Sequence, residues 1–220
     1  MSMKLSGLGK CFGGMDGSAS SYGKRIIFRN ILSILRDKLG VDGNFEFIDI
    51  GAGDGIMVCL AMFYGAASAV GVELQDAKKY VFDQYQESLK RVFGVDVCDH
   101  VSVVFGCSSS NLEHLPTLCL DQVIPRIALC FCDGFNEGDR RHVFQNLIGL
   151  NPSILIFLCS PGKARGDCFF NHNLILEALN FHRTHEHKFQ YHGVFTVKMA
   201  GSGRQKSLLM FYCHKKTNEV

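Results

Sequence analysis

Ten residues constrain this chain more than any others: Glu46-Phe47-Ile48-Asp49-Ile50-Gly51-Ala52-Gly53-Asp54-Gly55. An apolar run of strand character passes without a spacer into three glycines at alternate positions, and then into Gly55–Tyr64, which reads as a helix. Glycine accepts positive φ and lets backbone approach a ligand with no Cβ in between. A strand feeding a tight turn and a helix is the opening half of a parallel β-α-β unit.

The rest of the chain continues that alternation. Short apolar runs of strand character lie at Phe45–Ile50, Ser68–Glu73, Val101–Gly106, Arg126–Cys132 and Ser153–Cys159. Between them Asp76–Phe93, Asn111–Val123, Glu137–Leu147 and Asn171–Leu179 read as helices, and Ile26–Leu39 carries helical spacing ahead of the first strand. Strands this apolar are covered on both faces. Val194–Met199 and Lys206–Cys213 flank the turn-rich Ala200-Gly201-Ser202-Gly203-Arg204, which suits a hairpin. The expected fold is α/β and Rossmann-like: a mostly parallel seven-stranded sheet, helices on both faces, and a C-terminal antiparallel hairpin. One domain is expected over 22–214, after a Gly- and Ser-rich arm at 1–21 and before a short tail at 215–220.

Composition excludes more than it selects. With 47% apolar residues and four prolines the chain can bury a large core, and a net charge of +2 makes no case for nucleic acid or acidic membranes. Nucleic-acid contact is a minority reading that rests on Lys163, Arg165, Arg204 and Lys206, expected on loops near the site's rim. The ten cysteines lack paired CxxC spacing, and Met1–Gly17 has no apolar segment of a signal peptide, so reduced cysteines acting as small apolar residues are expected. The uncharged run Ile56–Val72 is interrupted by Gly65, Ser68 and Gly71, and reads as a buried helix plus a strand, not a membrane span. A nuclear or cytoplasmic location is expected, with no membrane.

The glycine loop departs from the dinucleotide pattern. GxGxxG would seat a pyrophosphate on the helix N-terminus, but here the third glycine comes one place early and Ile56 takes its position. Asp49 adds a carboxylate suited to a cationic amino-acid ligand and unsuited to pyrophosphate. Glu73 ends the next strand, 18 residues after Gly55, where a carboxylate can accept from both hydroxyls of a ribose. An amino acid joined to a nucleoside satisfies both acids, so S-adenosylmethionine is preferred over NAD as the cofactor.

From about Tyr22 to about His214 the chain resembles the non-SET histone lysine methyltransferases called disruptor of telomeric silencing. That family's Tyr-Gly-Glu at a helix start is matched by Tyr22-Gly23-Lys24, its Asp-Leu-Gly-Ser-Gly-Val-Gly by Asp49 to Gly55, and its Gly-Val-Glu by Gly71-Val72-Glu73. Its Lys-Tyr helix resembles Lys78-Lys79-Tyr80, its Asn-Asn-Phe resembles Cys132-Asp133-Gly134-Phe135, and its hairpin resembles Met199–Arg204 with Met210-Phe211-Tyr212. The resemblance implies a lysine N-methyltransferase acting on a histone or another lysine-bearing protein. It implies Tyr22, Asp133 and Phe135 at the methyl-transfer end, with Tyr22 and Phe135 walling a narrow channel. The implied cofactor contacts are Tyr22, Asp49, Gly51, Gly53, Gly55, Glu73, Leu74, Cys107, Ser108 and Asp133.

The chain also departs from that family. Lys24 replaces its glutamate, and Cys132-Asp133 stands for Asn-Asn. Its Gly-Asp-Phe after the third strand, whose acid contacts adenine, appears as Gly106-Cys107-Ser108; Ser108 or Ser109 would supply a weaker hydrogen bond, or apolar contacts would hold the base. No lysine-rich tail follows, only Lys215-Lys216. These departures leave room for a methyltransferase of the same fold with a small-molecule or non-histone acceptor, or for a binding protein that kept only the fold. Asp133 reads equally well as the turn residue of Asp-Gly. His182, His185, His187 and His192 with Cys168 lack the tight paired spacing of zinc sites, so no metal is expected. No GxxxxGK[ST], HExxH or GxSxG occurs, which removes the NTPase, zinc-protease and serine-hydrolase readings.

Overall fold

A computed structural model describes residues 19–73, 76–106, 124–131, 143–144, 147, 150, 152–159, 172–181, 187–199 and 204–215. Helix α1 (Ser21–Leu39) precedes β1 (Phe45–Ile50), α2 (Ile56–Phe63) and β2 (Ala66–Glu73). A 3₁₀ turn (Asp76–Lys78) leads into α3 (Lys79–Phe93), followed by β3 (Val101–Phe105), β4 (Arg126–Phe131) and β5 (Ile154–Cys159). The chain closes with α4 (His172–Asn180), β6 (His187–Lys198) and β7 (Gln205–Lys215). The uncharged run from Ile56 therefore divides into α2 and β2 as its glycines dictate, and no helix among the described residues is long and apolar enough to cross a membrane.

The seven strands form one sheet in the order β3-β2-β1-β4-β5-β7-β6. The five from β3 to β5 run parallel, and β7 pairs antiparallel with β5 and with β6. Alternate side chains of β1 feed two cores. Phe45 and Phe47 pack with Phe28 and Ile31 of α1 and Val58 of α2, while Ile48 and Ile50 face the opposite core with Val143, Leu147 and Ile175. All six residues of β1 are buried, as a central strand covered on both faces requires. Helices α1, α2 and α3 thus lie on one face; α4 and the helical residues Val143, Phe144 and Leu147 lie on the other.

Because crossovers from β1 go one way to β2, while β4 lies on its other side, β1 stands at the point where the strand order reverses. Open α/β sheets bind ligands beyond the carboxyl ends of strands at that point. Two elements begin five or more residues before their sequence-predicted limits. Helix α1 begins at Ser21, five residues before Ile26, because the Ser20 hydroxyl accepts from Gly23 N at 3.1 Å and caps it. Strand β6 begins at His187, not Val194, and pairs with β7 along its whole length. The region read as a helix over 111–123 lies outside the described residues.

Candidate active site

The tip of β1 turns through three left-handed glycines, Gly51 (φ 81°), Gly53 (φ 61°) and Gly55 (φ 75°). Side chains adopt that region at a cost, so the alternate-glycine pattern is a backbone requirement. The turn is strapped to β2: Gly51 N and Ala52 N both donate to Val72 O, at 2.9 and 3.0 Å. Gly53 N donates to Glu73 Oε2 at 2.6 Å, so the loop itself fixes the acid at the neighbouring strand tip. Glu73 is buried, 8% exposed.

The glycines differ in what they permit. Among the described residues a Cβ on Gly53 would meet only the Lys78 ammonium, 3.9 Å away, so none of their other side chains fills that face of the loop. A Cβ on Gly55 would stand 2.4 Å from Phe82 Cδ2 and 3.1 Å from Val103 Cγ2, so Gly55 is bare because α3 and β3 pack against it. Gly71 is held in the same way by Ala52 and Val58.

Asp49 lies at the base of this turn, 3% exposed. Its carboxyl is pushed up to about 8, first by burial and then by the negative charges of Glu73 and Asp54. Asp54 accepts from Ile56 N at 3.2 Å at the start of α2, and also hydrogen-bonds with Tyr85 of α3. Burial and that neighbouring carboxylate both hold the Tyr85 hydroxyl above its usual range. The site thus gathers three acids around one short loop. A ligand carrying positive charge relieves that repulsion.

Helix α1 stands against the C-terminal hairpin. Its N-terminus is anchored to the hairpin: Ser20 N donates to Lys198 O at 2.9 Å, Ala19 pairs with Met199, and a Cβ on Gly23 would stand 2.6 Å from Lys198 O. Gly23 is therefore required by close helix–strand packing. Tyr22, beside it, is 62% exposed at the first turn. Lys24 is half-buried, and burial lowers its ammonium below the ordinary range against a smaller opposing effect of Asp54. The residue that departs from the resemblance therefore lies within electrostatic range of Asp54.

The structure brings together Asp49, Gly51, Gly53, Gly55 and Glu73, with Tyr22 on the flanking helix. Leu74, Cys107, Ser108, Asp133 and Phe135 lie outside the described residues, as do His182, His185 and Cys168. Lys206, expected on a loop at the rim, instead lies inside β7, 3% exposed, with its ammonium 5.7 Å from the centre of the Phe131 ring at the tip of β4. Sequence reasoning also missed Lys78, Asp54 and Tyr85. The first was read as part of a solvated helix face, although a lysine directly before the start of α3 lies at the strand-tip end of that helix. Among the described residues no group of three or more His, Cys, Asp or Glu side chains is arranged to hold a metal. The described cysteines are free, and burial pushes the Cys59 thiol up to about 12, so it is an inert core residue.

The fold is that of the class I S-adenosylmethionine-dependent methyltransferases. The chain is similar to a magnesium protoporphyrin IX methyltransferase from Synechocystis PCC 6803, crystallised with bound S-adenosylmethionine: TM-score 0.57 and 12% identity, over 90% of this chain and 86% of that one. It is also similar to the methyltransferase domain of a bacterial Hen1 (TM-score 0.55, 10% identity, 87% and 98% covered). A ribosomal protein L11 methylase from Lactobacillus delbrueckii subsp. bulgaricus aligns with TM-score 0.50 and 12% identity, over 86% and 76% of the two chains. No protein-family model matches the chain, and no curated protein matches it in sequence.

Proposed function

We propose that this chain is an S-adenosylmethionine-dependent methyltransferase whose acceptor is a lysine side chain of a protein, a histone being the first to try. The observation that carries the cofactor is the Gly53 N to Glu73 Oε2 bond of 2.6 Å beside the buried Asp49. It sets a sugar-binding carboxylate and an ammonium-binding carboxylate on adjacent strand tips, with the glycine turn between them. Glu73 accepts from the ribose hydroxyls, Asp49 ionises to take the amino group, and the sulfonium follows on the β1 side, toward α1.

Methyl transfer there needs little covalent help from the protein. The acceptor's lone pair attacks the methyl carbon in line with the S–C bond, whose electrons pass to sulfur and release neutral S-adenosylhomocysteine. Holding the nucleophile about 3 Å from that carbon supplies most of the rate. A lysine amine must first lose a proton, against an ordinary pKa of about 10.4, and an apolar channel favours the neutral form. The exposed Tyr22 at the head of α1, together with the Tyr22-Gly23 landmark and the hairpin behind it, supports the lysine reading.

A second reading follows from the neighbours, whose named substrates include a porphyrin and a ribosomal protein. In that reading the same site serves a small-molecule or non-histone acceptor. Transfer of labelled methyl from S-adenosylmethionine to histones, nucleosomes and total lysate tests both. Label on protein lysine is expected; label confined to small molecules rejects the lysine acceptor, and absence of S-adenosylmethionine binding at millimolar concentration rejects the enzyme.

A further inference from the structure

We propose that the outer edge of β6 is a docking site for an extended, acidic segment of a partner protein. The inference is independent of the cofactor reading. Strand β6 ends the sheet and pairs along one side only, with β7. The backbone N–H and C=O groups of a strand point alternately to its two sides, so every second residue of β6 turns them away from β7.

Two contacts fix which residues those are. Phe189 N donates to Asn180 Oδ1 at 2.8 Å and Phe189 O accepts from Asn180 Nδ2 at 3.1 Å, so the side-chain amide stands in for a neighbouring strand near the start of β6. Lys198 O accepts from Ser20 N at 2.9 Å, and the residue before α1 closes the other end. Counting back by twos from Lys198 gives Thr196 and Val194, before the bulge between Tyr191 and Gly193 shifts the register. Among the described residues nothing bonds to the outward groups of these two. Both side chains are exposed, Val194 by 57%. The edge is closed at both ends and open between them.

An open edge is a template for another strand, and charge decides which. From His187 to Lys198 the strand holds no acid. Lys188 and Lys198 are both exposed, and neither has an ion-pair partner among the described residues. Two copies of β6 joined edge to edge would gather lysines and histidines with no carboxylate to meet them, and like charges across a strand pair are destabilising. A segment carrying glutamate or aspartate meets the same lysines favourably. Val194 and Thr196 are β-branched and suit a pleated surface, so acids alternating with β-branched residues fit this stretch. The outward N–H and C=O groups of Val194 and Thr196 supply the main-chain bonds, as in strand addition generally.

Amide hydrogen exchange and calorimetry on the full chain test the assignment, with a short peptide alternating valine and glutamate as probe and its lysine counterpart beside it. In the free protein the Val194 and Thr196 amides should exchange fast, while Gly193, Phe195 and Val197, which face β7, stay protected. The glutamate peptide at millimolar concentration should slow Val194 and Thr196 by about tenfold or more, and the lysine peptide should not. Lys188→Glu combined with Lys198→Glu should weaken the glutamate peptide by about fivefold, the upper scale for an exposed ion pair, and admit the lysine peptide. Thr196→Pro removes an outward N–H without touching the ladder to β7 and should abolish the slowing at Val194. The charge reversal, confined to exposed side chains, keeps the test valid where the proline disturbs the hairpin. No slowing by the glutamate peptide, or equal slowing by both peptides, overturns the proposal. Slowing that appears without peptide as the protein concentration rises makes a second copy the occupant and overturns it as well.

Discussion

An aspartate buried beside two further acids must ionise before it can hold an ammonium, and that couples binding to pH. With its carboxyl pushed from an ordinary 3.8 up to about 8, Asp49 is mostly protonated in the empty site at neutral pH. A ligand ammonium lowers that value again, so binding releases a proton wherever the pH lies below about 8. The affinity for S-adenosylhomocysteine should then rise by up to about tenfold per unit from pH 6 to 8. Above about 8 Asp49 is ionised in the empty site as well, binding no longer releases a proton, and affinity should level off. Asp49→Asn should flatten the acidic limb, and methylthioadenosine, which lacks the amino acid, should show no such limb in the wild type. Calorimetry from pH 6 to 9 checks this, and a flat wild-type profile would remove Asp49 from the ammonium site. The sign for the empty fold is opposite. A raised acid binds more protons folded than unfolded between about pH 4 and 8, so its contribution to stability declines as pH rises through that window. At the neighbouring tip, Glu73→Ala should weaken ligand binding by about 1–3 kcal/mol, the cost of losing a hydrogen bond to a charged acceptor, and an unaffected affinity would show that the sugar lies elsewhere.

At the scale of elements, the glycine turn is a joint between β1, α2 and α3. Gly55 takes the N-cap position of α2 at φ 75°, and Phe82 of α3 fills the place where its side chain would be. Gly55→Ala adds both a left-handed side chain and a clash at 2.4 Å, so a loss of about 2–4 kcal/mol is expected in urea unfolding. A second change, Phe82→Leu, should recover part of that loss if the clash is its source; strictly additive costs would place the strain in the backbone alone. The same elements show what could be read from sequence. Strand, triple glycine, helix, strand and acid were all legible, because each needs a particular residue type at a particular place. The head of α1 was not, since Ser21 to Arg25 has no apolar face and only the Ser20 cap reveals it. The first half of β6 escaped for another reason. A bulge between Tyr191 and Gly193 changes its register against β7, so Phe189 and Tyr191 face one core while Phe195, Val197 and Met199 face the other. A strand that changes faces midway has no single buried side for a periodic pattern to report. Long-range meetings such as Asp76 with Gly106, or Lys78 with Gly53, are set by how loops cross strand tips and leave no local signal at all.

The molecule as a whole separates its chemistry from its anchorage along the strands. The acids of the site gather at the carboxyl tips of β1 and β2, whereas an ion pair largely withdrawn from water lies at the other end of the sheet. There Glu46 of β1 faces Arg126 of β4 in register, Arg126 Nε donates to Glu46 Oε2 at 2.9 Å, and its Nη1 donates to Leu150 O at 2.7 Å. The pair spans the seam at which the strand order reverses, so it ties the two halves of the sheet together below the cleft. Arg126→Ala strands a buried carboxylate and a carbonyl, and should cost about 3–5 kcal/mol in urea unfolding. From Glu46 to the glycine turn is five residues of strand, about 17 Å, too far for a change in packing at the base to reach the ligand directly. The variant should therefore keep wild-type affinity for S-adenosylhomocysteine at temperatures where it stays folded. Saturating it at about a hundred times the dissociation constant should return roughly 2.7 kcal/mol of the lost stability, because ligand binds only the folded state. If affinity falls in parallel with stability, the two ends of the sheet are coupled, and β1 transmits strain from its base to its tip rather than serving as a rigid spacer.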